Sequence, residues 1–123
     1  TKPDLRRAPL REARLIGANL GRANLFKADL RSANLSDTDL SGAELTGADL
    51  SDAILTGANL SGADLTEANL IGAILTQADL TRADLRWAFL FQADLTEAYG
   101  LTQGQIDQAI TDEATRVSPP LRL

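Results

Sequence analysis

The sequence contains no cysteine, no histidine and no methionine, and aromatic residues make up only 4% of it. Without cysteine there is no disulfide and no thiolate metal site, and without histidine the commonest general base and metal ligand is missing. The sequence also has no Gly-rich phosphate-binding loop and no nucleophile that a histidine could activate. These absences disfavour most enzymes, although the 17 acidic residues leave a glycosidase-like pair of carboxylates open as an alternative. Because a rod with a filled interior offers no obvious cleft, we predict a protein that is not an enzyme and that has no cofactor or metal.

A long apolar run is also missing. No stretch approaches the roughly 18 consecutive apolar residues of a membrane span, and residues 1–4 lack the apolar segment of a signal peptide. We therefore expect no membrane association and favour the cytoplasm. Because the sequence does not begin with Met, a removed leader and an exported or lumenal compartment stay open as alternatives.

What the chain does have is a leucine at every fifth position from Leu5 to Leu95. Most are preceded by Asp or Asn at the pre-leucine position and by Ala one residue earlier; Thr38 is the one break in the alanine position from Ala8 to Ala98. A period of five would spiral the leucines around a helix or alternate them between the faces of a strand. We instead predict that each pentad is a short extended piece plus a corner, with Leu and Ala pointing to a central axis. Stacked coils of this kind form an all-β solenoid with a spacing of about 4.8 Å.

The repeated motif resembles the pentapeptide-repeat family. Residues 58–70 read Ala-Asn-Leu-Ser-Gly-Ala-Asp-Leu-Thr-Glu-Ala-Asn-Leu, and the resemblance extends over residues 3–99. It implies a right-handed quadrilateral β-helix of about five coils, in which each coil takes 20 residues and residues 20 apart stack. The leucine-centred style is similar to that of cyanobacterial members.

The register ends at Gly100, which divides the chain into a β-helix over 1–100 and a C-terminal cap and tail over 101–123. Residues 102–105, Thr-Gln-Gly-Gln, have the spacing of a capping box. They predict a short capping helix over roughly 103–110 that seals the last leucines of the β-helix, namely Leu80, Leu85, Leu90 and Leu95.

Large apolar residues break the polar outer pattern near the C-terminal end. Ile54 and Ile74 occupy the pre-leucine position 20 residues apart and should stack, while Ile71 should stack with Phe91. Exposed apolar clusters mark contact surfaces, and the alternative is that the C-terminal segment folds back over them. The predicted partner contacts are Ile54, Ile71, Ile74, Phe89 and Phe91.

Charge is distributed unevenly along the chain. The net charge is −5, but residues 1–31 carry eight bases and three acids, whereas the remainder carries four bases and fourteen acids. The first coil forms a candidate basic end of Arg6, Arg7, Arg11 and Arg14. These bases could blunt the exposed edge of the solenoid, adjoin a missing preceding segment, or dock on another chain. Nucleic acid is not favoured, because the rest of the chain is acidic.

An acidic ladder is predicted where Glu44, Asp64 and Asp84 stack. Neighbouring carboxylates could raise one another's pKa and bind a cation. We favour a structural explanation, because Asp or Asn at this position is the signature of the repeat.

Three functional hypotheses follow. The first is a non-catalytic protein-interaction or scaffold module with an unidentified protein partner, acting as a monomer or homodimer. The second, implied by the resemblance, is a DNA-mimicking binder of DNA gyrase, although the uniform leucine core departs from the Phe-rich core typical of such members. The third is a structural element that associates end to end, basic coil against acidic coil.

Overall fold

The computed structural model describes residues 2–123, which form a stack of coils. From Asp4–Asn24 to Asp79–Tyr99, every parallel bridge joins residues twenty apart. Each coil therefore contains four pentads, which confirms the stacking that the family resemblance implied. Within the described residues no strand extends beyond a single bridge pair.

The four sides of the β-helix are defined by their pre-leucine residues. Side 1 carries Asp4, Asn24, Glu44, Asp64 and Asp84. Side 2 carries Pro9, Asp29, Asp49, Asn69 and Phe89. Side 3 carries Arg14, Asn34, Ile54, Ile74 and Asp94. Side 4 carries Asn19, Asp39, Asn59 and Asp79, and its column ends at Tyr99, which precedes Gly100 instead of a leucine.

Leucine and alanine form a continuous core along the axis. The leucines from Leu25 to Leu80 are completely buried, and so are nearly all of the alanines between them. Thr38, which stands in an alanine position, is also buried, and its hydroxyl donates to the Leu15 carbonyl at 2.8 Å. This polar break in the alanine column is thus compensated by a hydrogen bond to the preceding coil.

The corners depend on a left-handed backbone conformation. The second residue after each leucine, here called the corner position, has a positive φ throughout the range 7–97. Glycine adopts this conformation without strain, as at Gly57, but Asp52 and Trp87 adopt it as well, with φ of 58° and 62°. The corners therefore follow from the geometry of the repeat more than from its glycines.

The C-terminal segment begins with the helix α1, Gln103–Gln108. The predicted capping box is present, because the Thr102 hydroxyl accepts from the Gln105 N–H and the Gln105 side chain accepts from the Thr102 N–H. The helix ends two residues before the expected residue 110. Ala109 has extended dihedrals, and Ile110 instead pairs with Phe89 as the next rung on side 2.

After the helix the chain returns to the path of the β-helix. Arg116 pairs with Asp94 on side 3, so the segment adds a partial rung beyond the last complete coil. Among residues 2–123, no helix is long and apolar enough to cross a membrane.

Candidate protein-interaction surface

The pre-leucine Asp or Asn has a structural role in this β-helix. Its side-chain oxygen accepts a hydrogen bond from the backbone N–H two residues later, as at Asn59–Ser61, Asn69–Ile71 and Asp79–Thr81, all at 3.0 Å. Only a short side chain places an oxygen at this distance, which is the Asx-turn geometry. The sequence shows that Asp and Asn are preferred at this position but does not show that the hydrogen bond is the reason. The rarity of the longer Glu and Gln at this position was the available signal.

Three large apolar residues give up this hydrogen bond. Ile54, Ile74 and Phe89 occupy the pre-leucine position but have no side-chain oxygen to accept the bond. Ile74 and Phe89 are 40% and 37% exposed, and Ile54 is partly buried. Each replacement therefore removes a local stabilising contact and presents apolar surface to solvent.

The structure brings the five predicted contact residues together in two groups. Ile54 and Ile74 form a bridge pair on side 3, as predicted. The rings of Phe89 and Phe91 lie edge to face on side 2, with centroids 6.0 Å apart. The N–H of Gly72 donates to the Phe91 carbonyl at 2.9 Å, which sets Ile71 in register with Phe91. The two groups lie on adjacent sides, separated by the corner at Gly72.

The C-terminal segment does not cover this surface. It lies at the end of the β-helix, with Ile110 paired to Phe89 and Arg116 paired to Asp94. Ile74 and Phe89 keep their exposure, so the alternative in which the segment folds back over them is wrong.

Trp87 is a further exposed aromatic residue that was not among the predicted contacts. It stands at the corner position leading into side 2 and is 63% exposed. It lines an open groove of about 340 Å³ together with Arg86 and residues 107–110. The available signal was its register, because the other corner positions hold only glycine or polar residues.

The basic end is partly neutralised by its own neighbours. Arg6 donates to both carboxylate oxygens of Asp4, at 2.9 and 2.8 Å, and the side-chain hydrogen bond from Arg6 lowers the pKa of Asp4. Arg7 lies over the ring of Phe26, with its guanidinium carbon 5.8 Å from the centroid. Arg11 lies 3.8 Å from Glu12. An open groove of about 510 Å³ adjoins Asp4, Arg6, Arg7 and Phe26, while Arg14 is exposed on side 3.

The predicted acidic ladder is present on side 1, but the pKa of Asp84 is lowered, not raised as suggested. Asp84 accepts two hydrogen bonds from the Arg86 guanidinium, at 2.9 and 2.6 Å, and these lower its pKa. Within residues 2–123, no group of acidic side chains is arranged to hold a metal ion. The ladder is therefore a set of paired or solvated carboxylates.

Comparison with known proteins identifies a family. The family model described as pentapeptide repeats matches in 8 copies, over residues 4–42, 33–70, 43–82 and 58–97. Among curated proteins, none matches this chain.

Three solved structures illustrate the likeness. A pentapeptide repeat protein from the thylakoid lumen of Arabidopsis thaliana is 25% identical with a TM-score of 0.68; the alignment covers 93% of this chain and 79% of that chain. One from Nostoc Pcc 7120 is 33% identical with a TM-score of 0.57, covering 90% and 86%. One from the cyanobacterium Cyanothece 51142 is 39% identical with a TM-score of 0.55, and 86% of this chain spans 65% of that chain.

Proposed function

This chain belongs to the pentapeptide-repeat family, and we propose that within it the protein is a non-catalytic protein-interaction module. The proposed contact surface, called the apolar surface below, consists of Ile54, Ile71, Ile74, Phe89 and Phe91. Its partner is another protein chain that offers complementary apolar side chains.

The observation that carries this proposal is the loss of the Asx hydrogen bond at Ile54, Ile74 and Phe89. A hydrogen bond of this kind contributes about 0.5–1.5 kcal/mol, and in its place Ile74 and Phe89 leave 40% and 37% of their surface exposed to solvent. Residues that break a local structural rule without an evident compensating gain are typical of functional positions. Three such residues define a candidate surface that spans two adjacent sides.

The backbone beneath the apolar surface is rigid. Ile54 donates to the Ala33 carbonyl and Ile74 to the Ala53 carbonyl, at 2.9 and 3.0 Å, so each rung is held by the coil before it. A partner would bind a surface that is already ordered, which lowers the entropic cost of association.

The test replaces the three apolar residues by the residue that the repeat prefers. The variant Ile54→Asn/Ile74→Asn/Phe89→Asn should regain an acceptor for the N–H groups of Thr56, Thr76 and Phe91. We expect its melting temperature to be equal to or higher than that of the wild type, while affinity capture of the partner from the native organism is lost. A cross-linking mass-spectrometry experiment would identify the captured chain and its contact with the surface.

A reciprocal control uses side 4. The variant Asn59→Ile removes the oxygen that accepts from the Ser61 N–H and creates an apolar residue away from the proposed surface. It should melt at a lower temperature and still capture the same partner. Unchanged capture by the triple variant would overturn the proposal, and so would loss of capture in both variants.

We further propose that residues 101–123 form a capping unit distinct from the β-helix of residues 1–100. Support comes from side chains that reach into the last coil. The Gln105 amide donates to the carbonyls of Leu80 and Ala83, at 2.8 and 3.0 Å, and the Thr115 hydroxyl donates to the carbonyl of Leu90 at 2.7 Å.

The two other hypotheses have less support. DNA mimicry requires a continuous negative surface, but Arg31 and Arg86 form ion pairs with Asp29 and Asp84; inhibition of gyrase supercoiling at micromolar protein would revive it. End-to-end association through backbone pairing would have to displace the C-terminal segment. Salt-sensitive light scattering would favour that hypothesis.

A further inference from the structure

Side 2 and its two bordering columns differ sharply between the two ends of the molecule. Three columns of residues run along it, each with a spacing of twenty residues. The column at the preceding corner contains Arg7, Lys27, Gly47, Glu67 and Trp87. The pre-leucine column contains Pro9, Asp29, Asp49, Asn69 and Phe89. The column after the leucines contains Arg11, Arg31, Ser51, Ile71 and Phe91.

We infer that two copies of this chain associate through side 2, face to face and antiparallel. A twofold axis that crosses side 2 at the level of Gly47 and Asp49 reverses the order of the coils and leaves each column opposite itself. Because both copies have the same spacing between coils, all contacts come into register together. The inference rests on the proposed function, in that Phe89 and Phe91 belong to the apolar surface.

In the antiparallel register, the first coil of each copy faces the fifth coil of the other, and basic side chains meet aromatic ones. Arg7 meets Trp87, Arg11 meets Phe91, and Pro9 meets Phe89. Cations attract the faces of aromatic rings, and Trp is the best acceptor of such contacts. The chain already makes contacts of this type, because Arg7 and Lys27 lie 5.8 and 5.4 Å from the centroid of Phe26.

One coil further in, the same register pairs Lys27 with Glu67 on both sides of the axis. In a parallel arrangement the twofold axis would exchange the two outer columns, so Lys27 of each copy would meet Arg31 of the other, a contact between like charges. Charge complementarity therefore selects the antiparallel orientation and a second copy as the occupant.

The same register places Arg31 opposite the apolar Ile71, and the least favourable contact lies at the axis, where the two Asp49 carboxylates approach each other. Each has a compensating charge within its own chain, because the Arg31 Nε lies 3.9 Å from the Asp49 carboxylate.

Four sides and two ends share the 6375 Å² of accessible surface, so side 2 offers somewhat less than a quarter of it. This is enough for the roughly 800 Å² per partner of a standard interface. The twofold contact is closed and makes dimers, not filaments.

The test is a charge exchange, read out by sedimentation velocity over about a hundredfold range of concentration. The wild type should dimerise. The variants Lys27→Glu and Glu67→Lys should each raise the dimer dissociation constant by about tenfold or more, and the double variant should restore the wild-type value. Trp87→Ser should weaken the dimer as well. Arg82→Glu, at a corner away from side 2, is the matched control and should leave the dissociation constant unchanged.

Circular dichroism of each variant checks that the fold is intact. A wild type that stays monomeric at every concentration would overturn the dimer, and failure of the double variant to regain association would overturn the register. Neither result bears on Ile54 and Ile74, which lie on side 3. Loss of partner capture in Ile54→Asn/Ile74→Asn would therefore still support the proposed function if the dimer were absent.

Discussion

The two ends of the β-helix contain the same repeat, but their cores are buried to different extents. Leu80, Leu85, Leu90 and Leu95 are at most 1% exposed. In the first coil, Leu5, Leu10 and Leu15 are only partly buried, and Leu20 is 9% exposed. An inward leucine is thus sealed only when structure lies on both sides of its coil, which is the nearest-neighbour property of a solenoid.

At the C-terminal end, residues beyond Gly100 continue the backbone pairing of the last coil. The N–H groups of Leu90 and Leu95 donate to the carbonyls of Ile110 and Arg116, each at 2.8 Å. Asp112 also accepts from the Gln92 N–H at 3.1 Å. In later coils the N–H of the pre-leucine residue donates to the coil before it. Pro9 holds this position in the first coil and has no N–H, which suits a residue at the edge of the β-helix.

Removing residues 101–123 should have the largest effect on this contrast. The deletion exposes the last four leucines about as much as the first, and each loses part of the roughly 1.5–3 kcal/mol that its burial contributes. We expect the melting temperature to fall by about 15 °C or more, with aggregation visible by light scattering. Removing residues 119–123 alone is the matched control, because it leaves the Ile110 and Arg116 pairs in place. A monomeric 101–123 deletion with wild-type melting would contradict the capping role.

A smaller difference in stability is expected between substitutions of two buried threonines, one near each end of the β-helix. Thr115 donates to the Leu90 carbonyl at 2.7 Å, and Thr38 donates to the Leu15 carbonyl at 2.8 Å. Thr115→Val should lower the stability by about 1 kcal/mol, because it removes a hydrogen bond at the sealed end. Thr38→Ala restores the repeat residue next to the partly exposed first coil, where water can reach the Leu15 carbonyl more easily.

We therefore expect denaturant melts to show a clear loss for Thr115→Val and little change for Thr38→Ala. Equal losses of stability in the two variants would mean that the free energy contributed by these hydrogen bonds does not depend on how completely the neighbouring coil is buried.

The fold could be predicted to the extent that it is encoded in side-chain periodicity. The period of five and the identities of Leu and Ala define which residues point inward, and twenty-residue stacking places Ile54 beside Ile74. The end of α1 could not be predicted, because Ile110 leaves the helix to pair with Phe89, a contact that no local pattern contains. Trp87 was not among the predicted contacts, although the glycine and polar residues at every other corner position from 7 to 97 indicate that this position faces solvent. The identity of the partner could not be predicted. The repeat specifies mainly the inward Leu and Ala residues, and these residues never contact a partner.

The smallest expected effect concerns how the stability contributed by carboxyl groups near each end of the β-helix depends on pH. The Arg31 side-chain hydrogen bonds lower the pKa of Asp29 to about 2 in the folded state. At the other end, burial acts to raise the pKa of Asp112, but hydrogen bonds from Gln92, Thr115 and Ala114 lower it overall. A carboxyl whose pKa is lower in the folded than in the unfolded chain, where it is about 3.9, stabilises the fold above that value. Its contribution disappears as the pH falls through the folded-state pKa.

The melting temperature should therefore be constant above about pH 5 and fall progressively towards pH 2. Asp112→Asn keeps an oxygen acceptor for the Gln92 N–H but cannot titrate, so it should melt slightly lower at neutral pH and show a shallower acid loss. Asp29→Asn is the matched variant in the second coil, where it removes the Arg31 ion pair from a coil whose leucines are buried. If acid weakens the cap first, Asp112→Asn should flatten the profile more than Asp29→Asn, because unsealing the last leucines exposes more of the core. The opposite order in thermal melts by circular dichroism would place the acid-sensitive step at the basic end.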